Sequence, residues 1–348
     1  MEPVRIRTLV AWMERRQIGL YLASIVAGGA AGFLAPGTAA AMELAINPVL
    51  GLLLYATFLG IPFASLGRAV RDVRFMATVL VLNFAVVPVV VFGLSRIVAG
   101  DQALLVGMLL VLLTPCIDYV IVFSGLAGGA SDRLLAAAPV LMLAQMLLLP
   151  LYLLLFVGPE LVSVIDPAPF VQALVGLIVV PLALAALTQW LARPARGSEG
   201  DRSAVGRSIV GRAAVGRTVM AAVQALMVPL MMATLAVVVG SQIVGVRQEL
   251  ASLLAVVPLY AAFLLVMVPL GLLAARPARL DARATVAVVF SGATRNSLVV
   301  LPLALALPEP LALAALVVVT QTLVELLGML AYVRFLPRLV PADSRLRR

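Results

Sequence analysis

"LLTPCIDYV", residues 112–120, interrupts a long apolar run with a proline, the chain's single cysteine and an aspartate within four positions. Pro115 has no N–H to offer the carbonyl of Val111, so a helix passing through it is kinked or broken at this point. Cys116 is a soft ligand, and Asp118 is a charge that hydrocarbon penalises. Such a cluster in an apolar run reads as a working part of a membrane protein, and the flanking sequence bears on that reading.

The 348 residues are 64% hydrophobic and 12% charged, with a mean hydropathy of +1.16. A soluble domain is about half apolar and roughly a quarter charged, so this chain treats lipid as solvent. The apolar runs predict ten membrane-spanning helices, near 17–35, 44–66, 76–98, 103–126, 134–157, 168–192, 218–240, 251–275, 284–307 and 311–333. Barrel strands would be shorter and would alternate apolar with polar residues. The opening "MEPVRIRTLVAWMERRQ" is basic and amphipathic and lacks the pattern of a cleaved signal peptide. The net charge of +9 does not point to nucleic acid, because the arginines fall in short segments between spans. With the N-terminus placed in the cytoplasm, 22 of the 25 basic residues lie on the inner side, Arg96 and Arg247 lie outside, and Arg295 lies within span nine. That asymmetry predicts an even number of spans in the plasma membrane with both termini cytoplasmic.

The longest predicted loop, 193–217, carries arginines at Arg202, Arg207, Arg212 and Arg217. Five is not a helical period, so it reads as a basic cytoplasmic linker drawn to anionic headgroups. It separates 1–192, holding the first repeat and span six, from the remaining spans in 218–348. The halves share wording at near-constant displacement: Thr57 with Thr234 at 177, and Gln145 with Gln321 at 176. An odd number of spans per copy turns the second copy over. The expected fold is therefore an all-α polytopic membrane protein of two inverted five-helix repeats, about 17–157 and 168–333, with broken helices four and nine crossing near the midplane. At a displacement of 177, Asp118 falls opposite Arg295. "SGATRNS", residues 291–297, is a small and polar run in which Gly292 offers a second break beside that of Pro115.

The ionisable groups read at membrane depth are Asp118, Arg295 and Glu325, functional candidates by their cost. Asp118 and Arg295 pair in this reading, either as structure or as a switch. Gln145, Asn296, Ser297 and Gln321 supply neutral donors and acceptors, whose alternative role is packing between helices.

These residues resemble the arsenite efflux permeases of the bile acid/sodium symporter superfamily. The likeness rests on Pro115-Cys116 in span four, on Phe290, Ala293 and Asn296 in span nine, and on Glu325 in "TQTLVELLG" of the last span. Asp118, Arg295 and Leu298 depart from that family's pattern. The resemblance implies export of arsenite or a related trivalent metalloid, driven by the proton-motive force. Cys116 would be the transient metalloid contact, with Asp118, Arg295 and Asn296 about the substrate. Asp118 and Glu325, with Gln145, Gln321 and Ser297, would handle the coupling ion. The alternative is a sodium-coupled importer of an organic anion, with Arg295 on the substrate carboxylate and backbone oxygens on sodium. The partners expected are thus a small anion or metalloid, a proton or sodium ion, and the bilayer. No cofactor is expected. The chain has no histidine and no HExxH, GxSxG or paired-aspartate motif, which argues against an enzyme.

Overall fold

The computed structural model describes residues 2–60, 72–117, 119–158, 168, 171–172, 175–192 and 204–340. In chain order its principal helices are α1 Glu2–Leu34, α2 Ala39–Gly60, α3 Val73–Val98, α4 Gln102–Leu112, α5 Tyr119–Leu126 and α6 Ser131–Val157. They continue as α7 Val180–Ala192, α8 Ala204–Ala225, α9 Met227–Gln248, α10 Leu250–Ala275, α11 Ala282–Ala293, α12 Ser297–Leu305 and α13 Leu313–Leu339. Among the described residues there is no β-strand, only one isolated bridge.

Among the described residues six helical stretches are long and apolar enough to cross a membrane, and a seventh counts if α1, bent by 77° next to Gly19, is taken as one span. The expected ten differ from this for physical reasons. Spans four and nine are each two short helices around a break. Span six is the short helix α7 behind a π-helical turn, Val175–Val179, with 159–167 outside the described residues. Span seven begins at Met227 rather than near 218. The stretch read as a loop is helical from Ala204, so 204–217 is no loop; its alanines and arginines are good helix formers, and a five-residue arginine spacing does not prevent a helix. Residues 193–203 lie outside the described residues.

The chain forms two compact units, Met1–Phe63 with Val171–Val244, and Ala64–Phe170 with Gly245–Arg348. Each draws on both halves of the sequence, so the units cut across the division at 193–217.

In the first unit small residues let helices touch. Gly28 and Gly32 of α1 lie on the backbones of Ala236 and Gly240 of α9, and a Cβ on Gly32 would come within 2.0 Å of the Gly240 carbonyl oxygen. This small-xxx-small pairing brings backbones together where lipid offers no hydrophobic drive. The Tyr55 hydroxyl meets Thr188 Oγ1 at 2.9 Å, and Gln189 Nε2 donates to the carbonyls of Phe58 and Leu59 at the end of α2.

The second unit holds α3 to α6 and α10 to α13. Leu250–Ala275 begins and ends 177 positions after Val73–Val98. The connection that follows is 99–101 in the first case and 276–281 in the second, so later features sit three residues further apart. Asp101 and Asp281, 180 apart, cap α4 and α11: Asp101 accepts from the amides of Ala103 and Leu104, and Asp281 from that of Ala284. Gly107 of α4 lets α13 approach, since a Cβ there would meet the Ala314 oxygen at 2.8 Å. Arg133 at the start of α6 bridges Asp72 at 3.4 Å and Asp281 at 2.9 Å, the caps of α3 and α11. The outer face of α6 is apolar, with Leu147 77% exposed, as a lipid-facing surface requires.

Candidate functional site at the helix crossing

The two breaks meet. The Cys116 amide donates to the Thr294 carbonyl at 3.1 Å, and the Asn296 amide donates to the Thr114 carbonyl at 2.8 Å. Pro115 and Arg295 therefore face each other as an antiparallel bridge. The residue opposite Arg295 is Pro115, 180 positions away rather than 177. The longer connection 276–281 accounts for the shift. Asp118 itself lies outside the described residues.

The last turns of α4 and α11 find side-chain donors for carbonyls that the helix ladder leaves over. In α4 the Thr114 hydroxyl reaches back to the carbonyls of Leu110 and Val111, covering the group that Pro115 leaves without a donor. In α11 the Thr294 hydroxyl does the same to Phe290 at 2.7 Å. The next carbonyls of both helices go to one side chain. Arg295 Nη1 donates to Leu112 O at 3.2 Å, and Nη2 to Ser291 O at 2.8 Å and Gly292 O at 2.6 Å. Nη2 also donates to Asn83 Oδ1 at 2.8 Å, and the guanidinium lies over the Phe263 ring at 5.4 Å. A cation here answers the negative ends of two half-helix dipoles. Arg295 is fully buried, and its Nε has no hydrogen-bond partner.

Gly292 is not the break. It stays helical, and α11 runs on to Ala293 before Thr294 turns extended at ψ 136°. Its lack of a side chain serves packing: a Cβ would come within 2.6 Å of Leu82 and 2.9 Å of Met267. The break is defined instead by Asn296, whose side chain accepts from the Val299 amide and starts α12.

Glu325 of α13 is fully buried at the same place. Its Oε2 accepts from the backbone amide of Arg295 at 2.8 Å and from Gln321 Nε2; its Oε1 accepts from the Tyr119 hydroxyl at 2.6 Å. That hydroxyl also lies 3.1 Å from the Arg295 carbonyl oxygen. One carboxylate thus ties together α5, the break between α11 and α12, and α13. The unit charges of Arg295 and Glu325 share this buried cluster without a direct guanidinium–carboxylate bond.

Of the residues singled out from sequence, the crossing brings together Pro115, Cys116, Gly292, Arg295, Asn296, Gln321 and Glu325. Ser297 opens α12 and is buried. Gln145 is buried on α6, but its Oε1 has no hydrogen-bond partner, so no bond of that oxygen ties it to the crossing. No group of three or more acidic, cysteine or histidine side chains suited to a metal ion occurs among the described residues.

Asn83 was missed by sequence reasoning. It sits in a π-helical turn of α3, Leu82–Val86, and holds Ser291 Oγ with Nδ2 while accepting from Arg295. The turn has a local cause. Pro88 offers no amide to the Phe84 carbonyl, and the Tyr152 hydroxyl donates to it instead. The available signal was a lone asparagine in "VLVLNFAVVPVVV".

A search of curated proteins finds no match. Residues 30–330, most of the chain and both helix breaks included, match one family profile. With its apolar helices and its two breaks, this multi-pass membrane transporter belongs to the SBF-like CPA transporter family.

Proposed function

We propose that the protein is a secondary active transporter in which Glu325 carries the coupling proton through an alternating-access cycle, exporting arsenite or a related trivalent metalloid. The observation that carries the coupling is the position of the Glu325 carboxylate. It accepts from the Tyr119 hydroxyl and from the Arg295 amide, one donor from each broken span. As a carboxylate it has acceptor capacity for all three of its donors, whereas protonation turns one of its oxygens into a donor. Proton gain therefore loosens either α5 or the ninth-span break, and proton loss draws them back. The substrate assignment rests on Cys116, buried at the crossing one residue from Pro115. A single sulfur binds a thiophilic solute weakly enough to release it.

The inverted-repeat reading is supported by the matching ranges 73–98 and 250–275, by the caps Asp101 and Asp281, and by the paired threonines Thr114 and Thr294, which occupy the same place in each break. Ten spans with both termini cytoplasmic fit the arginine asymmetry.

A second reading, transport of an organic anion, draws support from different atoms. Asn296 Nδ2 and Arg295 Nε are buried donors without partners, and a carboxylate would satisfy both. Sodium coupling is the weaker part of that reading, because the half-helix carbonyls that would hold sodium are occupied by the Arg295 guanidinium.

Proteoliposomes loaded with arsenite test the proposal. Efflux should follow an imposed pH gradient and ignore a sodium gradient, and Cys116→Ser should abolish it. Carboxylate transport that survives Cys116→Ser would move the assignment to the second reading. Transport that follows sodium alone would defeat proton coupling.

A further inference from the structure

The Arg295 guanidinium fits its surroundings imperfectly, and the misfit is informative. Nη2 is surrounded by three oxygens, Gly292 O at 2.6 Å, Ser291 O at 2.8 Å and Asn83 Oδ1 at 2.8 Å. A guanidinium nitrogen of this kind carries two hydrogens, so one oxygen is served only by a shared bond. On the same side chain the Nε–H has no acceptor at all. A planar fork selected for its own geometry would distribute its donors; here one corner is crowded and another is idle. A spherical cation has no such limit and satisfies every surrounding oxygen equally. The oxygens are hard donors, two of them the terminal carbonyls of α11, with the Leu112 carbonyl of α4 at 3.2 Å from Nη1. Around them lie two negative helix ends and the Glu325 carboxylate, so the place favours positive charge of any kind.

We infer that Arg295 is a tethered stand-in for a bound monovalent cation, and that cutting its side chain back opens a sodium-binding site formed by the three oxygens that converge on Nη2: Ser291 O, Gly292 O and Asn83 Oδ1. The inference deepens the proton-coupled reading and rests on it: a cation fixed to the chain balances the half-helices at every stage of the cycle, leaving the proton at Glu325 as the mobile charge. Arg295 would then set which ion the transporter uses.

The test needs no substrate. Wild type, Arg295→Ala and Arg295→Ser are purified in detergent, and their thermal midpoints are measured in sodium chloride and in choline chloride at equal ionic strength. Wild type should melt at the same temperature in both salts. The variants should rise saturably with sodium, by about 5 °C or more at saturation. If a variant is monodisperse only when solubilised in sodium, that too supports the inference. Variants that respond no more than wild type, or that aggregate in both salts, would overturn it. Because nothing is transported in this assay, an indifferent variant leaves the Glu325 reading standing, and a failure of pH-driven transport leaves the sodium response standing.

Discussion

The two breaks look alike and are enforced differently. Between α4 and α5 the chain itself withholds a helical bond: Pro115 lacks the donor, and the Thr114 hydroxyl covers the carbonyl left over. Between α11 and α12 no residue type withholds a backbone donor. Residues 291–297 contain no proline, and Gly292 is helical. This break persists because Arg295 draws in the carbonyls of Ser291 and Gly292, Asn296 starts a new helix, and Glu325 holds the Arg295 amide. The first break has a covalent contribution from Pro115; the second is conditional on a charge and a carboxylate. A moving part is better placed at the conditional one, and the ionisable residues Arg295 and Glu325 are there.

Substitutions that strike one break and spare the other sharpen this contrast. The largest effect is expected at Arg295. In a sodium-free buffer Arg295→Ala leaves Glu325 and two helix ends without a counter-charge and should cost about 3–5 kcal/mol of stability. Pro115→Ala should cost no more than about 1 kcal/mol, because the two backbone bonds between 114–116 and 294–296 remain. Denaturant unfolding in detergent gives both values, and equal losses would erase the distinction. Next comes Tyr119→Phe, which removes the 2.6 Å bond to Glu325 and should cost about 1.5–3 kcal/mol by the same measurement. Asn296→Ala removes the cap of α12 and should cost about 1 kcal/mol, with hydrogen exchange quickening in 297–299 and not at α5. The smallest effect belongs to Arg133→Ala. Its ion pairs to Asp72 and Asp281 lie at side chains a third to a half exposed, so about 0.2–1 kcal/mol is expected, falling with added salt.

The same contrast decides what was legible in the sequence. Pro115 was readable because its effect is local and belongs to the residue type. The apolar runs marked most of the spans, and burial cost singled out Arg295 and Glu325. The partners of Arg295 were not readable, because backbone carbonyls leave no mark in a sequence. Gly292 suggests a dihedral role from its residue type, whereas its value lies in contact with Leu82 and Met267, a tertiary fact. The bridge partner of Arg295 is Pro115, three residues from the position a displacement of 177 gives, because the connection at 276–281 is longer than that at 99–101. Asn83 escaped because one polar residue in an apolar run resembles packing, and the π-helical turn that aims it depends on Pro88 and on Tyr152 from a different helix.

Proton movement measured alongside solute movement tests the central claim most directly. Proteoliposomes carrying a pH-sensitive dye inside are given a solute gradient, and both fluxes are followed in wild type and in Glu325→Gln. The account predicts that wild type moves protons in fixed proportion to solute, while the variant exchanges solute across the membrane with no proton flux. Proton flux that continues in step with solute in Glu325→Gln would contradict it.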